Sequence, residues 1–316
     1  MHDDPSFSSD QPIRLASRAS PLALAQTEEV QARLGRIPSQ IETFSTRGDE
    51  VQDRSLAELG GKGLFVKTLE AALLRGEADA AVHSAKDMEN HVADGTYVAA
   101  YLEREDRRDA LIGPYADLSS LPEGAVIGTA SVRRAAMLQA LRPDCTPKLL
   151  RGNVNSRLRQ LDEGKYDAII LAMAGIRRLG LDIDCRPLDE EIFLPAACQG
   201  VIAIQARKDE TPRGATIKTA LTEIGHKATT SEVAAERALL AMLDGTCRTP
   251  IGASAYLKDN VLKMKACLLS LDGRQYFEAE GQASADDAPA LGADRGRRLL
   301  DQAGGRSFIL AQKDGL

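Results

Sequence analysis

From Ile13 to about residue 205 the chain alternates short apolar runs with longer stretches whose apolar residues recur at helical spacing. "IRLAS", starting at Ile13, reads as a strand. Ser20-Pro21 then opens a helix, with serine as the cap, proline at the first helical position and Gly35 as the stop. "LFVKTLEAALLRG" is an amphipathic helix ending at Gly76, and "ADAAVH" is a strand. Further on, "AVIG", "PKLL" and "YDAIILA" read as strands, each followed by a turn and a helical stretch. Strand–helix alternation of this kind predicts an α/β fold with parallel sheets.

Two segments resemble each other. "GEADAAVHSAKDM" and "GKYDAIILAMAGI" both run glycine, two residues, Asp-Ala, then an apolar strand. The pattern fits two related lobes, and it equally fits two unrelated units in which a helix stops and a strand begins. Beyond about residue 220 the pattern changes. "SEVAAERALLAMLDG" is one helix, and "ASAYLKDN", "VLKMKACLLSLDG" and "RQYFEAEG" form a meander with turns at Asp259-Asn260 and Asp272-Gly273. A last helix near Ala288 to Ala303 completes a small α+β domain. In this scheme "LDGTCRTPIG" puts Cys247 in the loop before the first strand of the meander.

Composition narrows the class. With 316 residues, 43% hydrophobic and 27% charged, the chain is globular and long enough for two or three domains. No window approaches 18 uninterrupted apolar residues, so no membrane span is expected. The start, "MHDDPSFSSDQP", lacks the basic and apolar regions of a secretory signal, so it is taken as a disordered lead-in and the compartment as cytoplasmic. Cysteines 145, 185, 198, 247 and 267 are odd in number and never spaced C-x-x-C, which argues against a disulfide framework and a zinc knuckle. No two histidines stand at i,i+4, so no metal site is expected. A net charge of −6, no tryptophan and 4% aromatic residues disfavour nucleic acid as a partner.

The positive charge is not spread evenly. Ligands of parallel α/β sheets bind outside the carboxyl ends of the strands. After "AVIG" come Thr129, Ser131, Arg133 and Arg134; after "PKLL" come Arg151 and Arg157; after "AIILA" come Arg177 and Arg178. The first strand ends near Arg18 and Ser20. Any one helical arginine could simply solvate an outer face. The set together points to an anion with several negative groups, because helix N-termini and guanidinium forks both suit carboxylate or phosphate. There is no G-x-x-x-x-G-K-[ST] loop, and "GGKG" at 60–63 is a weak cluster, so a polycarboxylate fits better than a nucleotide. "SAKDM" ends another strand with Lys86 and Asp87, either a surface ion pair or a carboxylate placed to stabilise a developing cation or move a proton. At this level Cys247 remains open between a buried filler, a metal ligand, a nucleophile and an attachment point.

"RLASRASPLALAQ", "TRGD", "GGKGLFVKTLEAALLRGEADAAVHSAKD", "EREDRRDALI", "GTASVRR", "LLRGNVNSRLRQLDEGKYDAIILAMAGIRRLG", "LPAACQG" and "GTCRTPIG" together closely resemble the porphobilinogen deaminase family, in order, from about residue 13 to 255. The resemblance implies a transferase of tetrapyrrole biosynthesis. It joins four porphobilinogen molecules head to tail, releases ammonia and delivers linear 1-hydroxymethylbilane. It also implies two periplasmic-binding-protein-like α/β lobes plus a small α+β C-terminal domain: residues 1–102 with 202–219, then 103–201, then 220–316. A dipyrromethane cofactor would be held by a covalent thioether to Cys247. By resemblance Lys86, Asp87, Thr129, Ser131, Arg133, Arg134 and Arg157 bind that cofactor, while Arg18, Ser20, Gln26, Phe65, Arg151 and Arg178 bind substrate. Asp87 would be the catalytic group, hydrogen-bonding pyrrole N–H groups and stabilising the cationic azafulvene. "GGKGLF" would be a lid carrying Phe65. A monomer is implied, with no membrane or nucleic-acid partner.

The chain departs from the family pattern in places. Met88-Glu89 stands where Val-Pro is usual, which is expected to loosen the turn beside Asp87; Cys198 stands where glycine is usual and cannot freely take a positive φ. Ala25 replaces a larger residue. A non-enzymatic protein whose two lobes close on a carboxylated ligand is the competing reading, and it leaves the cysteine loop without a purpose.

Overall fold

In a computed structural model, residues 11–45, 66–244 and 249–314 are described. Cys247, Phe65 and the "GGKGLF" segment through Phe65 lie outside the described residues. Those described fall into two compact units, one comprising residues up to 45, 66–104 and 201–230, the other 105–200 and from 231 onward.

In the first unit, strand β1 (Ile13–Arg18) leads into helix α1 (Pro21–Leu34) and strand β2 (Ser39–Phe44). Helix α2 (Val66–Leu74), β3 (Ala80–Ser84) and β4 (Thr96–Tyr101) follow. The strand that returns late in the sequence, β10 (Ile202–Arg207), completes a sheet ordered β2-β1-β3-β10-β4 and is followed by helix α6 (Pro212–Glu223). β1 runs parallel to β2 and β3, but β10 is antiparallel to both β3 and β4. The sheet is therefore mixed rather than parallel as expected, because the inserted strand arrives from the opposite direction. Ile13, Leu15, Val82, Leu102, Ile202 and Ile204 fill one face, and Leu69 and Leu73 of α2 cover Ala16 and Ala81 on the other.

The second unit repeats the scheme. It contains β5 (Asp109–Ile112), β6 (Val126–Thr129), α3 (Val132–Leu141), β7 (Thr146–Leu149) and α4 (Val154–Asp162), then β8 (Ala168–Ala172), α5 (Met173–Arg178) and β9 (Cys185–Pro187). The order is β7-β6-β8-β5-β9, with β6 parallel to β7 and β8, and β5 antiparallel to both its neighbours. Strand for strand this is the order of the first sheet.

The shared Gly…Asp-Ala segments explain why. β3 and β8 each stand third in their sheets. Asp79 Oδ2 accepts from the Arg14 N–H at 2.9 Å, and Asp167 Oδ2 accepts from the Val126 N–H at 2.7 Å. Each aspartate N–H returns a bond to the same residue's carbonyl at 2.9 Å. One aspartate per sheet thus pins the central parallel pair at its amino end, which favours related lobes over coincidence.

The same unit holds an antiparallel meander, β11 (Ile251–Lys258), β12 (Val261–Leu269) and β13 (Tyr276–Ser284), with helices α7 (Lys227–Met242), α8 (Ala288–Gln302) and α9 (Arg306–Asp314). Its first hairpin closes on Asp259 and Asn260, both at positive φ (50° and 59°), the two-residue turn that matches strand twist. α7 is held on two sides. Gly292 of α8 lies so close that a Cβ there would sit 1.9 Å from the Ala235 carbonyl oxygen. On another side, buried Glu236 accepts from the backbone N–H groups of Ala255 (2.8 Å) and Cys198 (2.5 Å), and Glu232 accepts from that of Leu257 (3.2 Å).

Cys198 corrects an expectation. It takes φ +62° although it is not glycine, and it is 1% exposed. The left-handed backbone costs an L-residue on the order of 1–2 kcal/mol. The bond from its N–H to the Glu236 carboxylate, stronger than a neutral pair, helps to hold it there.

Candidate active site

In the first unit the carboxyl ends of β1 and β3 lie side by side, since the two strands are parallel neighbours. β1 ends at Arg18. Ser20 then caps α1, its side chain accepting from the Ala23 N–H at 3.4 Å. Gln26, one turn further and 5% exposed, bonds to Ser84 Oγ at the end of β3 (2.9 Å). Next comes a single 3₁₀ turn, Ala85–Asp87. Met88 closes it, with its N–H on the Ala85 carbonyl at 3.3 Å. Ala85 and Met88 are both buried, so Lys86 and Asp87 are raised into solvent between two anchors. The Met88-Glu89 replacement has not opened this turn, contrary to expectation.

Arg18, Gln26, His83, Ser84 and Asp87 line one cavity of about 20 Å³ together with apolar Ala23, Val66 and Val82. Sequence reasoning had named Arg18, Gln26 and Asp87 and had missed His83. Its only signal was a histidine inside an apolar strand four residues before Asp87, which is also how a core histidine looks.

His83 is 6% exposed, and its Nε2 has no hydrogen-bond partner. Burial pushes the imidazole down to about 4, against the opposing influence of the Gln205 side chain and with a smaller push from the charge of Arg18. The unfolded chain therefore takes up this proton first, near pH 6.5, and the folded chain only near 4. Stability present above pH 6.5 is lost as pH falls towards 4, by about 3 kcal/mol at most. Urea titrations at pH 7 and 4.5 are expected to show that loss in the wild type and a shallower one in His83→Gln. Equal slopes would show that His83 is not held neutral.

In the second unit the corresponding strand end carries the corresponding serine. Thr129, buried at the end of β6, accepts from the Ser131 N–H through Oγ1 (3.1 Å), and Ser131 Oγ caps α3 by accepting from the Arg134 N–H (3.4 Å). The β6–β7 pairing runs on one step past the strands, Leu150 N–H to Thr129 O at 3.2 Å, and delivers Arg151 to the same edge. Gly152, at φ +106°, turns the chain where a Cβ would lie 2.0 Å from Ser156 Oγ. Asn153 then caps α4. Arg157 Nε donates to the Gly152 carbonyl at 2.8 Å, and Gln160 holds the Arg151 carbonyl at 3.0 Å. Both arginines are half-buried. Arg178, at the end of α5, donates to the Gly200 carbonyl at 3.0 Å.

Arg133 and Arg134, for which a direct grip on a ligand is expected, both turn their guanidinium groups inward. Arg133 pairs with Asp109 Oδ2 (2.7 Å), donates to the Leu194 carbonyl (2.6 Å) and lies over the Phe193 ring. Arg134 donates to Asp109 Oδ1 through Nε (3.0 Å) and Nη2 (2.7 Å), and to the Ile170 carbonyl (3.0 Å). Gln199 adds a bond to the same carboxylate at 2.8 Å. Burial by itself would raise Asp109; the two guanidinium charges and the bonds from Arg134 and Gln199 overcome it and hold the group at about 2. Two buried cations thus share one buried anion. Asp109 escaped sequence reasoning because "RRDALI" shows it only as the start of a strand, far along the chain from its partners.

Residues 13–213 match the family model "Porphobilinogen deaminase, dipyromethane cofactor binding domain", and residues 230–301 match "Porphobilinogen deaminase, C-terminal domain". Porphobilinogen deaminase of Nitrobacter winogradskyi is 46% identical over 304 residues, covering 94% of this chain and 95% of that protein. The protein of the same name from Laribacter hongkongensis is 44% identical over 296 residues, 92% and 95% of the two chains. Among solved structures, the periplasmic aliphatic sulphonate binding protein SsuA of Escherichia coli is similar at a TM-score of 0.39 and 17% identity, over 73% of this chain and 70% of its own. A probable amino-acid ABC transporter extracellular-binding protein of Bacillus subtilis is similar at 0.38 and 14%, over 68% and 91%. Matched by both domain models in tandem, and by curated relatives almost end to end, the chain belongs to the porphobilinogen deaminase family.

Proposed function

We propose that this chain is a hydroxymethylbilane synthase that condenses four porphobilinogen molecules head to tail, with loss of ammonia, and that Asp87 is its catalytic group. The observation that carries the role of Asp87 is its setting. It is raised on a closed turn and shares a cavity with Arg18 and Gln26. Arg18, Ser20, Gln26, Arg151 and Arg178 would hold the substrate through its acetate and propionate groups, with Phe65 near the rings, and Lys86, Thr129, Ser131 and Arg157 would bind the side chains of the dipyrromethane cofactor. The residues suit the cofactor, since Lys86 and Arg157 are cations at least partly accessible to solvent, and Thr129 and Ser131 add hydroxyls. When bound by a thioether to Cys247, the dipyrromethane supplies the pyrrole carbon from which the chain is extended.

Asp87 acts electrostatically. As the amine leaves the substrate, positive charge develops on the pyrrole ring and its methylene, and a fixed carboxylate beside the pyrrole N–H stabilises it. Arg133 and Arg134, committed to Asp109, would orient the Ser131 end of α3 rather than touch a ligand. The three sheets would serve as three functional domains, 1–102 with 202–219, 103–201 and 220–316. Among the described residues no helix is long and apolar enough to cross a membrane. A cytoplasmic monomer acting on porphobilinogen, without nucleic acid, is part of this reading.

The test is intact mass. Purified protein should exceed its sequence mass by one dipyrromethane unit, and Cys247→Ser should lose the excess along with activity. An active wild type of unmodified mass would overturn the assignment.

A further inference from the structure

We infer that Arg107 is a positioning residue for the cofactor on Cys247. It ties both stems of the loop that carries Cys247 to the strand end that also fixes the cofactor-binding cap at Ser131. The inference rests on the deaminase reading above and gives a role to a residue outside the strand-end set.

Arg107 stands two residues before β5, on the connection into the second sheet. Its Nη1 donates to Ser254 Oγ (3.1 Å) and to the Ala255 carbonyl of β11, and its Nη2 pairs with Glu232 of α7 (3.3 Å). The guanidinium lies over the Tyr256 ring, 5.7 Å from its centre. The side chains of the ion pair are 13% and 6% exposed, so water and salt do little to screen it. These contacts close a circuit. Ala255 accepts from Arg107 and donates to Glu236, Glu236 stands one turn from Glu232 on α7, and Glu232 returns to Arg107. Arg107 therefore joins β11 to α7 as well as holding each.

α7 ends at Met242 and β11 begins at Ile251, so residues 243–250, Cys247 among them, are strung between two elements that one guanidinium ties together. Both elements are stiff. β11 pairs with β12 from Ile251 to Lys258, and Gly296 of α8 lies so close to the last turn of α7 that a Cβ there would sit 2.8 Å from that of Met242. A shift imposed at Ala255 or Glu232 is thus carried to the ends of the loop.

The same short segment governs the cofactor-binding cap. Gln199 Nε2 donates to the Arg107 carbonyl and to Asp109 Oδ1, both at 2.8 Å. Asp109 holds the Arg134 guanidinium, and the Arg134 N–H is the one that Ser131 caps. Arg107–Asp109 is therefore a common bracket. Its first residue sets where the ends of the anchoring loop stand, and its last sets where the cap stands. Without Arg107 the two placements become independent, and misplacing a reacting group by about 1 Å can cost about 10²-fold in rate.

The test replaces Arg107 with methionine, which keeps the apolar stem and removes every donor. Apoprotein, made in cells that cannot form porphobilinogen, is given porphobilinogen, and its gain of one dipyrromethane unit is followed by intact mass. kcat and KM are then measured per loaded molecule. In Arg107→Met, the loading rate and kcat are both expected to fall about 10-fold with KM within about twofold, since substrate rings are held by other residues. Arg107→Lys, whose ammonium can meet the Ala255 carbonyl and Glu232, should bring both to within about threefold of the wild type. A residue that only stabilises the fold would lower the urea midpoint and leave loading and kcat, per folded molecule, at wild-type values. Wild-type loading or wild-type kcat in Arg107→Met, a change confined to KM, or lysine no better than methionine overturns the inference. Should Arg107→Met fail to fold, Ser254→Ala decides, because it removes one contact and no buried charge. Loading slowed at least about twofold, the share of one hydrogen bond, then supports the bracket, and unchanged loading overturns it. A wild type that gains no mass from porphobilinogen overturns the deaminase reading as well.

Discussion

Asp87→Asn is expected to purify with its full added mass and to turn over porphobilinogen about 10²- to 10³-fold more slowly than the wild type. The substitution is isosteric, and the turn that carries it is closed by backbone and by buried Ala85 and Met88, not by the carboxylate. Fold and turn should therefore survive. What disappears is a fixed negative charge at the point where a cation develops, and removing one such preorganised group costs about 2.7–4 kcal/mol of transition-state stabilisation. The loss should lie in kcat, because an interaction made mainly with the developing cation contributes little to ground-state binding. Single-turnover quench experiments would separate the two. A variant with near-normal kcat and a raised KM would make Asp87 a binding residue and would move the chemistry elsewhere on the strand ends. Arg18 gives a contrasting control, since Arg18→Leu should raise KM by removing a carboxylate partner.

The parts of this site legible in the sequence share a physical property: they are local. Ser20 and Ser131 each stand two residues past a strand end and cap the helix that follows, and both the cap and the strand end are signalled within a few residues. Asp87 and Arg18 stand just after apolar runs long enough to be recognised. The meander was legible because its alternation and its Asp-Asn turn are local too.

What escaped was long-range. β10 is a plain apolar run, and nothing in it shows that it slots antiparallel between β3 and β4, more than a hundred residues earlier. β2, "SQIETF", lies at the sheet edge, lacks the polar–apolar alternation of a strand and has no buried position, so it does not stand out. The inward turn of Arg133 and Arg134 depends on Asp109 arriving from β5, an antiparallel strand two places from β6 in the sheet, and the positive φ of Cys198 depends on Glu236 arriving from α7. A sequence shows which residues can carry charge. Which of them face a ligand is decided by counter-charges that only the folded chain brings near.

That distinction sets the second large effect, at Asp109. The group is 0% exposed and balances one of two guanidinium charges that are themselves 3% and 6% exposed. Asp109→Asn removes the only carboxylate paired with either guanidinium among the described residues. Breaking a buried pair from one side costs about 3–5 kcal/mol, a large share of a typical 5–15 kcal/mol stability, so most of the variant should be unfolded or lack cofactor. Arg134→Leu should cost less, because it leaves Arg133 and Asp109 as a matched pair of charges, yet it should still impair cofactor loading by loosening the start of α3. The double variant should be more stable than the sum of the single losses predicts, by about 1–3 kcal/mol. Acid should reproduce the effect. With the folded group near 2 against 3.8 unfolded, its stabilisation is present above pH 4 and is lost as pH falls from about 4 to 2. Should Asp109→Asn prove milder than Arg134→Leu in denaturant titration, the excess positive charge must be compensated elsewhere, and the account of Arg133 and Arg134 as struts rather than ligand contacts fails.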